Sequence, residues 1–200
     1  MSQIKLLHSG GNGVIIAAPD SNPTQDRTLK LPSDGDGTIL TTNSSVGKIL
    51  QVVQTFKKDT FSTSNNDHTE ITGLNASIAK TIASSKILIS VDIGYGRSGR
   101  DSTEFKLYED SSELTDANST GATSDNCFIV DYNHLYGTTY ETYSWYNVSK
   151  KVLIDGQNDT SSHTYKVYGH SNAATLYINR RSYNTTELTT SAITLMEVAT

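Results

Sequence analysis

Cysteine is almost missing from this chain. Cys127 stands alone among 200 residues, which excludes an intrachain disulfide framework and any zinc site built from several thiolates. Stability must come from packing, and nothing ties the fold to an oxidising compartment. Charge is sparse as well: charged residues make up 18%, with 16 Lys and Arg against 21 Asp and Glu and a net charge of −5. That balance leaves no basic footprint for phosphates, so nucleic acid is not an expected partner. Nowhere is there a run of about 18 apolar residues, so no membrane insertion is expected. The opening MSQIKLLHSGG has neither a basic n-region nor an apolar h-region, and no secretion signal is expected. Six Asn-x-Ser/Thr sequons, at Asn43, Asn75, Asn118, Asn147, Asn158 and Asn184, read as by-products of a composition rich in Ser and Thr.

What is present is polar but not disordered. Hydrophobic residues are only 35% of the chain, yet there are three prolines and few charges, whereas disordered chains are rich in both. Thr, Val, Ile and Tyr favour a pleated, half-buried surface, which predicts an all-β protein. A small monomer with so little apolar material is short of core. The composition therefore predicts that identical copies share part of the interior, as a homo-oligomer.

Residues 1–46 contain four short extended runs, Ile4 to Leu7, Val14 to Ala18, Thr28 to Leu31 and Thr38 to Thr41, broken by Gly10-Gly11-Asn12-Gly13, Pro19-Asp20, Pro23 and Ser33-Asp34-Gly35-Asp36-Gly37. Runs this short cannot make an independent sheet. They predict an extended N-terminal arm that becomes ordered against sister chains or a larger assembly. Asp34 and Asp36 lack the distal ligands of a calcium loop and read as a tight turn.

Residues 47–200 change character. From Lys86 to Tyr95 the sequence alternates Ile87, Ile89, Val91, Ile93 and Tyr95 against Lys86, Ser90 and Asp92, which places one face of a strand in a core. The same period puts Phe105 and Leu107 inward, then Ala174, Leu176 and Ile178, then Ile193 and Leu195. Further strands are predicted at 48–57, 59–64, 68–73, 76–81, 127–131, 138–154 and 162–169. Residues 110–126 read as a long polar surface loop, and Gly94-Tyr-Gly96-Arg97-Ser-Gly99 as a turn or bulge. The regular spacing predicts an antiparallel β-sandwich of jelly-roll type.

Several strings resemble structural proteins of tailed bacteriophages, especially marine and cyanobacterial ones. Val14-Ile-Ile-Ala-Ala-Pro-Asp-Ser-Asn-Pro, Arg27-Thr-Leu-Lys-Leu-Pro and Gly37-Thr-Ile-Leu-Thr resemble their N-terminal segment. Lys48-Ile-Leu-Gln-Val-Val-Gln-Thr, Asp67-His-Thr-Glu-Ile-Thr-Gly-Leu, Ser84-Ser-Lys-Ile-Leu-Ile-Ser-Val, Thr164-Tyr-Lys-Val-Tyr, Ala174-Thr-Leu-Tyr-Ile-Asn-Arg and Ser191-Ala-Ile-Thr-Leu-Met-Glu-Val are similar to the domain common in those proteins. The resemblance implies a virion protein assembled in the host cytoplasm: a homotrimeric tail fibre or receptor-binding component that mediates host attachment. Its arm would be held by other virion proteins. The alternative is a capsid decoration or head-fibre protein that stabilises the shell.

The chemistry that stands out is aromatic. Tyr132, Tyr136, Tyr140, Tyr143, Trp145 and Tyr146 fall within fifteen residues. Such rings suit stacking on a host-surface glycan or contact with a host protein. Equally, they suit packing within the sandwich or across an oligomer axis. No catalytic motif is present: there is no Gly-x-Ser-x-Gly elbow, phosphate loop or dinucleotide fingerprint, and the expectation is a non-enzymatic protein without cofactors. Carboxylate pairs such as Glu109-Asp110 and Asp155 with Asp159 offer the composition of a glycan hydrolase but no spacing that identifies one. The five histidines, His8, His68, His134, His163 and His170, are scattered. His68 and Glu70 would share a strand face, but two residues do not complete a metal shell, so no metal site is expected. Cys127 precedes Phe128-Ile129-Val130 and reads as a buried small hydrophobe.

Overall fold

Strands form where the alternation predicts them. The computed structural model describes residues 3–7, 9–11, 13–17, 24, 48–99, 101–120, 126–133, 145–183 and 188–200. It divides into two compact units, Met1–Thr41 and Thr42–Thr200. In the first, β1 (Gln3–Leu7) pairs antiparallel with β2 (Gly13–Ala17). The connection passes through Gly11 at φ 93°, a left-handed value that glycine adopts without steric cost. The predicted runs at 28–31 and 38–41 lie outside the described residues.

The second unit comprises β3 (Ile49–Lys57), β4 (Phe61–Thr63), β5 (Thr69–Ala79), β6 (Lys86–Arg97), β7 (Asp101–Glu109), β8 (Ser112–Glu113), β9 (Ile129–Asn133), β10 (Tyr146–Ile154), β11 (Ser162–Ser171), β12 (Leu176–Ile178) and β13 (Ser191–Val198). All pairings are antiparallel. One sheet runs β3–β13–β6; beyond the end of β13 the same edge of β6 carries β12 along Tyr95–Arg97, with β4 beyond β12, and the opposite edge of β6 carries β10 along Ile87–Tyr95. The other runs β5–β11–β7, with β9 and β8 on the far edge of β7. This is the predicted all-β antiparallel sandwich.

The core lies between the sheets. Ile87, Ile89, Val91, Ile93 and Tyr95 of β6 are buried, as are Ile193 and Leu195 of β13. Ile71, Leu74, Phe105, Leu107, Tyr165 and Val167 of the other sheet are buried with them. Polar groups occupy part of this interior: Lys57, Arg97, Glu109, Asn179 and Glu197 are all buried. Lys57 Nζ donates to Asp59 Oδ1 (2.9 Å) and the Thr72 carbonyl (2.7 Å). Asn179 Nδ2 donates to the carbonyls of Lys57 (2.8 Å) and Asp59 (2.9 Å), and its Oδ1 accepts from Ser191 Oγ (2.6 Å). Buried polar groups with partners fill space without the penalty of unmade hydrogen bonds.

Three local expectations are corrected. The two strands predicted at 68–73 and 76–81 are one, β5, because Gly73 at φ 83° lets the chain bulge and continue where β11 pairing shifts between Lys166 and Tyr168. The predicted loop at 110–126 contains β8 and a 3-10 turn at Thr115–Ala117. Gly94 and Gly96 are not a turn, since β6 runs through them to Arg97. A Cβ on Gly94 would come within 2.3 Å of Thr189 Cγ2, and one on Gly96 within 2.8 Å of the Arg180 carbonyl. These glycines let the chain around Arg180 and Thr189 cross close above the strand.

Candidate functional site

Of the predicted aromatic group, Tyr136, Tyr140 and Tyr143 lie outside the described residues, and Tyr132 is described only by its backbone, which pairs with Ser102. Trp145 is half-buried at the start of β10. Tyr146 is also half-buried. It sits opposite Tyr95 in the β10–β6 ladder, its ring stacks on Tyr95 with centroids 5.2 Å apart, and the Arg97 guanidinium lies 5.0 Å from its centre. Its ring is therefore already engaged with the edge of the core. Tyr95 Oη in turn donates to Asp131 of β9. Burial, reinforced by the Asp131 carboxylate, pushes its phenol far above the ordinary range.

Among the described residues, the closest grouping of metal-ligating side chains lies elsewhere, on the outward face of the five-stranded sheet. In β7 the residues Phe105 and Leu107 face the core, so Glu104, Lys106 and Tyr108 face out. In β11, Tyr165 and Val167 face in, so Lys166, Tyr168 and His170 face out. The register pairs His170 directly with Glu104 and Gly169 with Thr69. His68, one residue ahead of β5, thereby arrives beside His170, with ring centroids 5.4 Å apart. Cys127, two residues ahead of β9, arrives from the other side of β7.

The donor atoms converge. Cys127 Sγ is 3.5 Å from Glu104 Oε2 and 3.7 Å from His68 Nε2, and His68 Nε2 is 3.7 Å from the same Glu104 oxygen. His170 Nδ1 lies 3.9 Å from that oxygen, is buried and has no hydrogen-bond partner. Burial, then the nearby Lys106 ammonium, hold the His68 imidazole below its ordinary pKa and so favour the neutral ring. Lys106 itself pairs with Glu113 at 3.1 Å. A cleft of about 310 Å3, bounded also by Asn66, Asp67 and Asn172, opens on the group.

Sequence spacing did not predict this grouping, because strand pairing alone joins positions 68, 104, 127 and 170. The one available signal was the period-two reading that turns His68, Glu104 and His170 outward. The apolar setting expected for Cys127 is corrected: its thiol is buried, but against a carboxylate and an imidazole. The other singled-out groups are dispersed. Glu109 faces inward and accepts from Tyr165 Oη (2.6 Å), whereas its neighbour Asp110 is at the surface and pairs with His163 Nδ1 (2.7 Å). Asp159 takes the other His163 nitrogen (3.0 Å), and Asp155 pairs with Lys86 (2.9 Å). His8 and His134 lie outside the described residues.

No protein-family model matches the chain, and no curated protein matches it. Among solved structures it is similar to a chain in the structure of infectious bursal disease virus, Gx strain, at 14% identity and a TM-score of 0.36, covering 95% of this chain and 46% of that one. A chain from the Gt strain of the same virus gives 12% identity, a TM-score of 0.35 and coverage of 95% and 48%. This chain thus spans about half the length of those it resembles, and likeness at this level carries no functional argument.

Proposed function

We propose that this chain is a non-enzymatic structural component of a virus particle, working as a homotrimer in a tail fibre or receptor-binding assembly. The N-terminal segment 1–46 serves as the attachment to other virion proteins, and the sandwich 47–200 as the displayed domain. The phage-like strings supply the virion assignment. The observation that carries self-association is an apolar row across the outward face of the six-stranded sheet. Register pairs Val52 with Met196, Met196 with Leu88, and Leu88 with Leu153, and cross-strand partners share a face. Val52 is 55% exposed and Leu153 50%. Four strands at about 4.8 Å spacing make this a band about 15 Å long, and contiguous exposed apolar surface of this kind marks an interaction site. Three linked copies would turn weak single-site contacts with a host glycan or protein into firm attachment.

Sedimentation equilibrium of the purified chain tests the trimer. The expected mass is three times 21.7 kDa, falling to the single-chain mass in a Val52→Asp, Leu153→Asp double variant; a wild-type monomer would overturn the proposal. The engagement of Tyr146 with Tyr95 and Arg97 favours a second reading, capsid decoration, in which this part of the aromatic segment stiffens the domain instead of binding a receptor. Copy number decides between them: a few trimers per particle for a fibre, hundreds of chains on the head for a decoration.

A further inference from the structure

We propose that His68, Glu104, Cys127 and His170 form a binding site for one divalent transition-metal ion of the zinc class. The first argument is geometric. An ion bound tetrahedrally at about 2.0 Å from nitrogen and oxygen and about 2.3 Å from sulfur holds its donors about 3.3–3.6 Å apart. The three donors Cys127 Sγ, His68 Nε2 and Glu104 Oε2 are mutually 3.5, 3.7 and 3.7 Å apart, close to the edges of that tetrahedron, and all three can face one ion.

His170 supplies the second, independent observation. Its Nδ1 is buried, lacks a hydrogen-bond partner, and lies 3.9 Å from Glu104 Oε2 on the strand directly opposite. A buried imidazole nitrogen left without a partner is unfavourable; His170 stands outside the close-set triad of His68, Glu104 and Cys127, and a side-chain rearrangement on ion binding would bring it in as the fourth donor.

Alternative chemistries fit less well. A nucleophilic cysteine would need its base oriented by a carboxylate on the far imidazole nitrogen. Here Glu104 approaches the same Nε2 that faces Cys127, and the cysteine is 2% exposed, so substrate has no approach to the sulfur. A hard cation such as calcium or magnesium would call for an all-oxygen shell. Two imidazoles, a thiolate and a carboxylate instead suit a borderline ion, zinc above all. On binding, the ion would replace the Cys127 S–H proton directed at Glu104 Oε2, and the adjoining cleft provides its entry path.

Its consequence is local order. The ion would tie the entries of β5 and β9 to the paired β7 and β11, and β9 leads directly into the tyrosine-rich stretch 132–146. The metal is thus a clip at the base of the segment proposed to meet the host.

The test uses the full chain, stripped of metal and kept reduced, titrated with Co2+ and then Zn2+. Expected are one Co2+ per chain, the intense visible bands of tetrahedral cobalt, a near-ultraviolet thiolate-to-cobalt charge-transfer band, and displacement of all of them by Zn2+. Cys127→Ser should abolish the charge-transfer band while the far-ultraviolet circular dichroism is unchanged. His170→Ala should weaken Zn2+ binding by roughly tenfold or more, the loss that even outer-shell partners produce. Absence of stoichiometric uptake by the wild-type chain overturns the proposal, as does a cobalt spectrum unchanged in folded Cys127→Ser.

Discussion

Replacing Glu197 by Gln probes how the sandwich tolerates a carboxylate in its interior. Glu197 follows Ile193 and Leu195 on the inward face of β13, and its exposure is 0%. Among the described residues no cation forms an ion pair with it. Instead Oε1 accepts from the Thr81 amide (2.8 Å), the Ile82 amide (3.0 Å) and Ser85 Oγ (2.6 Å), while Oε2 accepts from Gln51 Nε2 (2.7 Å), and Thr81 Oγ1 reaches both oxygens at 3.0 Å. Burial alone would raise the carboxyl pKa, but these donors outweigh it and hold the group at about 2 against an ordinary 4.5. That displacement corresponds to about 3 kcal/mol of folding stability at neutral pH. Because the folded value is depressed, the contribution is complete above about pH 4.5 and disappears as pH falls toward 2. Glutamine keeps the shape but turns an amide N–H toward the Gln51 donor, whose Nε2 is also committed to the Ala79 carbonyl (2.6 Å). Urea unfolding at pH 7 should therefore place Glu197→Gln about 3 kcal/mol below wild type, with the gap narrowing steadily below pH 4.5. A variant within about 0.5 kcal/mol of wild type at pH 7, or a gap independent of pH, would refute the reasoning.

Gly96→Ala should destabilise by about 2 kcal/mol in urea unfolding, because the new methyl meets backbone of Arg180 and Arg181 at 2.8 and 3.0 Å; an unchanged midpoint would show that this crossing is loose. Tyr146→Ala should lose about 2 kcal/mol through its stacking on Tyr95, measured by thermal or urea unfolding, and full stability would return the ring to the role of a free binding platform. His163, raised above its ordinary 6.5 by hydrogen bonds to Asp110 and then Asp159, stabilises fully below pH 6.5 and loses that contribution as pH rises through its folded value. Asp110, lowered first by the Thr164 amide and then by His163, and Asp159, lowered first by His163, lose theirs as pH falls below 3.8. His163→Asn should accordingly flatten the alkaline limb of a stability profile taken from pH 6 to 9, and an identical limb in both proteins would dismiss the pairing.

Much of the sandwich was legible because water punishes one face of a strand and not the other. The alternation from Ile87 to Tyr95 marked the most heavily paired strand, and Phe105, Leu107, Ile193 and Leu195 marked the strands that pack with it. The same alternation, read one step further, places Glu197 in the core, where the Thr81–Ser85 turn supplies donors that only the folded chain brings to it. Gly94 and Gly96 misled as punctuation because glycine marks close approach of another chain segment as readily as a turn. The histidine, glutamate and cysteine cluster was hidden for a different reason. Its members are neighbours only through the pairing of β5, β11, β7 and β9, and long-range register leaves no mark in local spacing.

The position of β13 has a consequence for synthesis. This strand, Ser191–Val198, is not at a margin of its sheet but between β3 and β6. A nascent polypeptide on the ribosome therefore holds both flanking strands open, with bare amides and carbonyls along facing edges, until residues 191–198 emerge. Such edges are templates for mispairing with other chains, so copies cut short before residue 191 should be sticky and prone to aggregate.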